Sequence, residues 1–171
     1  PGLAADAIHI WTDGGARPNP GPCGIGVVVV DGKQLVELSE FLGEGTNQIA
    51  ELTAMLRGLE EVAQQFADAG VTKAQQRAVA VYSDSAYSIG LLDKNWKAKA
   101  NVELVAELRE LKKQFREVHF VKVAAHTGIS LNERTDQLAT DSLTHRSKRR
   151  QLAGSILDKL IADGAPLPQP S

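Results

Sequence analysis

The sequence predicts an α/β fold in which a mixed sheet is covered by helices. Three strand-like segments follow one another in the first 42 residues, after which the apolar period switches from that of a strand to that of a helix. From there to about residue 144, helical and strand patterns alternate, which is the order that builds a layered sheet. A chain of 171 residues has room for one domain with a proper core and flanking ends.

Residues 7–13 alternate apolar with other side chains, and residues 24–30 contain the β-branched run IGVVVV. A third strand is expected over 34–42, QLVELSEFL, with Asp31-Gly32-Lys33 as the hairpin turn before it. Helical spacing then sets in, with Ile49, Leu52, Leu56, Leu59, Ala63 and Phe66 on one face and Thr46 or Asn47 available as N-cap. AVAVYS at 78–83 reads as a buried strand, followed by Asp84-Ser85, which can cap another helix. Leu104, Leu108, Leu111 and Phe115 mark a second long helix, residues 118–123 a fifth strand, and Leu131, Leu138 and Leu143 a last, shorter helix. The end of the chain differs in composition. HRSKRR at 145–150 is basic, QLAGSILDKLIADG suggests a weak amphipathic helix, and APLPQPS is expected to be disordered. The expected organisation is an extension at 1–6, a domain at 7–144 and a basic appendage at 145–171.

Composition excludes several classes. With 43% hydrophobic and 23% charged residues the chain has no disorder-like or fibrous bias, and nothing approaches a run of 18 apolar residues, so no membrane partner is expected. The opening PGLAADA lacks a basic segment followed by a long apolar one, so no secretory signal is expected. A single cysteine, Cys23, fits a reducing, cytoplasmic compartment. The formal charge of −2 does not advertise a polyanion partner, but cations bridging phosphates to protein carboxylates would reconcile the two.

Four acids stand where a solvated surface charge is not expected. Asp13 ends the first strand in IWTDGGARPNPGP, and Asp84 ends the fourth, and in α/β sheets the ends of strands are where binding crevices form. Glu51 lies in the first turns of its helix on a stripe with Met55 and Val62, and Asp136 has Ala139 and Leu143 at i+3 and i+7, so both face the body of the protein. Each has a plain structural alternative as a turn residue, a cap or a helix-end charge. Gathered together they would repel, and two hard divalent cations about 4 Å apart are the usual means of neutralising such a group while displacing at phosphorus.

These segments resemble the type 1 ribonucleases H. The resemblance rests on TDGGARPNPGPCGIG at 12–26, TNQIAELTAMLRGLE at 46–60, YSDSAYSI at 82–89 and AHTGISLNERTDQLA at 125–139, in the family's order and spacing. It implies a five-stranded mixed sheet of order 3-2-1-4-5 and hydrolysis of the RNA strand of an RNA–DNA hybrid, leaving 5′-phosphate and 3′-hydroxyl ends. It places the metal-binding carboxylates at Asp13, Glu51, Asp84 and Asp136, and a mobile histidine that assists turnover at His126. The implied cofactor is Mg2+, two ions per site in the substrate complex, with Mn2+ as an alternative; the implied partner is the hybrid, met by a monomer.

Gly14 and Gly15 would let the nucleic-acid backbone approach, and polar groups at Gly14, Asn19, Asn47 and Gln48 are the candidate readers of the minor groove, where 2′-hydroxyls distinguish RNA. The resemblance gives Thr46 a phosphate of the DNA strand. Ala86 stands where many relatives carry glutamine, and LLDKNWKAKANVELV at 91–105 lacks the long basic protrusion of some members. Trp96, with Lys97 and Lys99, is the candidate for a smaller DNA-strand contact, and HRSKRR for part of the missing basic surface. Two other readings stay open: a catalytically silent hybrid-binding module, and a DNA-acting integrase- or transposase-like nuclease of the same fold. Those nucleases usually pair two aspartates with a late glutamate, whereas here the late acid is Asp136.

Overall fold

Alternating β-branched residues make the central strand two-sided. In the second strand, Ile25, Val27 and Val29 join one buried cluster while Val28 and Val30 join another, so the sheet needs cover on both faces. The computed structural model describes residues 3–32, 34–124 and 130–152. Its elements are β1 (Ile8–Ala16), β2 (Gly21–Asp31), β3 (Gln34–Gly45), α1 (Asn47–Asp68), β4 (Val79–Ser83), α2 (Ala86–Asp93), α3 (Val102–Lys112), β5 (Val118–Lys122), α4 (Ser130–His145) and β6 (Lys148–Leu152).

The strands lie in the order β5-β4-β1-β2-β3-β6, with β1 parallel to β4, β4 parallel to β5, and the remaining pairs antiparallel. The expected order 3-2-1-4-5 is therefore present, and the expectation of five strands is corrected to six. The basic tail supplies the extra one, pairing Lys148 with Glu40 and Leu152 with Val36 at the free edge of β3. Helices α1, α2 and α3 cover one face through Leu52, Met55, Leu59, Ile89, Leu92 and Leu108, and α4 covers the other through Leu131 and Leu138. Glycines in β2 let α4 lie directly on the sheet: a Cβ at Gly26 would meet the carbonyl oxygen of Thr135 at 2.1 Å.

A second correction concerns the first strand, expected to stop at residue 13. It runs on to Ala16, because Gly14, Gly15 and Ala16 keep their antiparallel partners Ile25, Gly24 and Cys23 in β2. The parallel pairing on its other side does end, at Trp11 opposite Tyr82. Asp13 thus stands just past the end of the β1–β4 seam. No helix among the described residues is long and apolar enough to cross a membrane. His126, most of the expected tail helix and the APLPQPS end fall outside the described residues.

Candidate active site

Chain geometry brings the four acids to one end of the sheet. Asp84 directly follows the last residue of β4, and the next residue relieves it of capping duty: the hydroxyl of Ser85 accepts the backbone N–H of Ser88 at 3.1 Å and caps α2. Glu51 comes from the second turn of α1, whose cap is Thr46, its hydroxyl accepting the N–H of Ile49 at 3.2 Å. Gly14 lets that helix come close, since a Cβ there would sit 2.5 Å from the carbonyl oxygen of Ala50. The glycine is thus required by the approach of α1. Asp136 arrives from the middle of α4.

Carboxylate oxygens of Asp13, Glu51 and Asp84 all lie within 4.8 Å of one another. Asp136 lines the same cleft as these three. Burial pushes the Asp13 carboxyl up to about 7, with the charges of Asp84 and Asp136 adding to the shift and the Gly14 backbone opposing it. Glu51 is pushed well up as well, by burial first and then by Asp13 and Asp84. Its Oε2 is buried without a hydrogen-bond partner, a costly arrangement for a carboxylate unless a cation meets it. An all-oxygen donor set, crowded and self-repelling, fits hard divalent cations better than any softer metal.

Arg17 is a residue the sequence reading passed over. Its guanidinium is 61% exposed, lines the cleft and lies 4.0 Å from Asp136. Asn132 and Glu133, also passed over, border a small hollow with Asp13, Asp84 and Asp136. Their positions three and four residues before Asp136 were the available signal, since such spacing puts side chains on one helical face.

The expected substrate contacts are partly tied to each other. Asn47 accepts the N–H of Ala16 through Oδ1 at 2.7 Å and donates its own N–H to Asn19 Oδ1 at 3.1 Å. This pair joins the β1–β2 loop to the start of α1, and Gln48 stands exposed beside it. Trp96 is 48% exposed at the far side of α2, its indole laid over Gly90 and Lys94 Nζ 5.9 Å from a ring centroid. The tail cations have partners inside the protein: Arg150 reaches Glu61 at 2.7 Å, Lys148 reaches Glu40 at 3.9 Å and Arg149 reaches Asp141 at 4.0 Å.

This arrangement of a mixed sheet with acids at the β1–β4 seam defines a class that comparison bears out. The family model for RNase H matches residues 5–144, and the chain belongs to that family. The ribonuclease H of Syntrophomonas wolfei subsp. wolfei is 33% identical over 150 residues, spanning 80% of this chain and 95% of its own length. That of Gluconobacter oxydans is 34% identical over 146 residues, covering 78% and 89%. Among solved structures, LC11-RNase H1 in complex with an RNA/DNA hybrid is 33% identical with a TM-score of 0.68, over 81% of this chain and 98% of that one. The N-terminal RNase H domain of a Mycobacterium tuberculosis protein is 27% identical, also with a TM-score of 0.68, covering 81% and 94%. The chain is an enzyme of the ribonuclease H class, a divalent-metal-dependent family of endonucleases.

Proposed function

We propose that this protein hydrolyses the RNA strand of RNA–DNA hybrids at the carboxylate cluster, leaving 5′-phosphate and 3′-hydroxyl ends. The observation that carries the reading is the convergence of Asp13, Glu51 and Asp84 within 4.8 Å, with Asp136 lining the same cleft and one Glu51 oxygen buried without a partner. Asp13, Glu51, Asp84 and Asp136 would hold two Mg2+ ions, with Mn2+ as a substitute. When bound, the ions supply Lewis-acid activation of water and stabilisation of the charge on the departing ribose oxygen.

The chain's own groups do the positioning. Carboxylates converging from β1, the end of β4, α1 and α4 would fix where the cations sit and so where the scissile phosphate is held, and the tied Asn19–Asn47 pair gives the β1–β2 loop a fixed shape against which a minor groove can rest. Backbone at Gly14 and the amides of Asn19, Asn47 and Gln48 read 2′-hydroxyls, while Thr46 and the Trp96 loop meet the DNA strand. His126 carries protons or helps release product, the general acid–base work an imidazole can do. The protein works as a monomer. Its single buried free thiol, Cys23, suits a reducing cytoplasm.

The test is a substrate panel in which each strand is end-labelled in turn. Cutting of the RNA strand in RNA–DNA hybrids, with RNA–RNA and DNA–DNA duplexes left intact, is the expected result. Cutting of DNA duplexes would favour the integrase-like alternative, and binding of hybrid without cutting the silent module.

A further inference from the structure

Away from the cleft, a second charged cluster is built under α4. Glu37 shares a row of β3 with Leu35 and Ser39, facing α4, and its side chain has 0% exposure. Arg134 grips it at both ends: Nε donates to Oε2 at 2.5 Å and Nη2 to Oε1 at 2.8 Å. Gln151 of β6, directly opposite Glu37 in register, donates to Oε1 at 2.7 Å. Two more contacts tie the same strands to the helix, Ser39 Oγ donating to the carbonyl of Leu138 at 2.7 Å and Arg149 pairing with Asp141 at 4.0 Å.

A buried ion pair is weak evidence for stability, because apolar side chains of similar volume often do as well. What this one supplies is geometry. Arg134 and Asp136 are two residues apart, about 200° around the helix, so Arg134 reaches toward β3 while Asp136 faces the hollow it lines with Asp13 of β1. Between them the carbonyl of Thr135 rests on Gly26 of β2, where a Cβ would have no room. Rotation of α4 about that contact moves Arg134 and Asp136 in opposite directions, so whatever holds one holds the other.

We propose that Glu37, Arg134 and Gln151 are positioning residues for Asp136, and that the sixth strand belongs to the active-site framework through them. Glu37 anchors Arg134, Gln151 keeps the Glu37 carboxylate turned toward the helix, and α4 is thereby held at the depth that brings Asp136 to Asp13. The inference rests on the reading of Asp136 as a metal-binding carboxylate.

The test uses the full chain with Gln151→Ala and Arg134→Lys, and with Arg77→Gln as a reference. Arg77 pairs with Asp31 at 2.6 Å at the opposite end of the sheet, so its loss lowers stability without touching α4. Mg2+ affinity of the free protein is measured by calorimetry, and the Mg2+ concentration for half-maximal cleavage of a hybrid is measured beside it. Expected are affinities weakened about tenfold in Gln151→Ala and Arg134→Lys, with KM for hybrid unchanged and the reference at the wild-type value. Unchanged Mg2+ affinity in both variants, or an equal loss in Arg77→Gln, overturns the inference. Weakened Mg2+ affinity in the two variants of a protein that cuts no hybrid supports the positioning role while sinking the ribonuclease reading.

Discussion

Asp13 and Asp136 face one hollow across the gap between β1 and α4, near enough for the charge of Asp136 to help push the Asp13 carboxyl up. Burial, with the charges of Asp84 and Asp136 beside it, raises the Asp13 carboxyl to about 7. Cations and protons compete for the same oxygens.

A carboxyl raised above its ordinary 3.8 binds a proton in the folded state that the unfolded chain has already released. Its contribution to stability is complete below that ordinary value and is lost as pH rises through about 7; Glu51 acts with the same sign. In chelator, the Tm contribution of the cluster is thus expected to decline as pH rises from about 4 to about 7, and Mg2+ at pH 8 to restore it. Calorimetric melting at several pH values, with Asp13→Asn as the comparison, isolates the slope that belongs to the cluster.

Removing one of the repelling charges stabilises the empty cluster and disables it. Asp13→Asn and Glu51→Gln are expected to raise stability in chelator at pH 8 by about 1 to 2 kcal/mol, a Tm gain of about 2 to 4 °C for each kcal/mol. Both variants are expected to lose hybrid cleavage. A destabilised Asp13→Asn would contradict the electrostatic account.

Gly14→Ala drives a methyl group against the Ala50 carbonyl at 2.5 Å, where backbone on both sides leaves no room to give. A loss of about 1 to 3 kcal/mol is expected, together with a fall in activity as the start of α1 shifts and carries Glu51 with it. Denaturant melts and a cleavage assay check the two effects on one sample.

Charge removal should separate the buried pair under α4 from the exposed pairs of the tail. Arg134→Ala strands a fully buried Glu37 carboxylate and is expected to cost about 3 to 5 kcal/mol. Arg150→Gln breaks a pair whose arginine is 53% exposed and is expected to cost about 1 kcal/mol or less. Because the tail cations already face Glu61, Glu40 and Asp141, replacing Lys148, Arg149 and Arg150 by glutamine is expected to leave the salt slope of hybrid binding nearly unchanged. A slope reduced by about 3 would mean that they leave their acids to meet phosphates.

The sheet was legible because β-branched runs and a change of period are strong local signals, and residues such as Val27 through Val30 are buried as their pattern requires. The acids were legible because Asp84 follows the end of a strand, Glu51 and Asp136 lie on inward helical stripes, and Asp13 comes before a Gly-Gly pair just past the β1–β4 seam. What could not be read depended on partners remote in sequence. Gly14 to Ala16 carry little strand propensity and are held in β1 by β2. Lys148 to Leu152 show no alternation and become a strand because β3 offers a free edge and α1 and α4 offer acids. Glu37 reads as the solvent side of its strand until Arg134, 97 residues later, reaches it.

The most direct measurement is cleavage of an end-labelled RNA–DNA hybrid by the wild type and by Asp13→Asn, in Mg2+ and in chelator. Metal-dependent cutting of the RNA strand by the wild type, reduced at least about 1,000-fold in a variant that melts no lower, is the predicted result. Cutting that persists in chelator, or in Asp13→Asn at the wild-type rate, would contradict a hydrolytic centre built on these carboxylates.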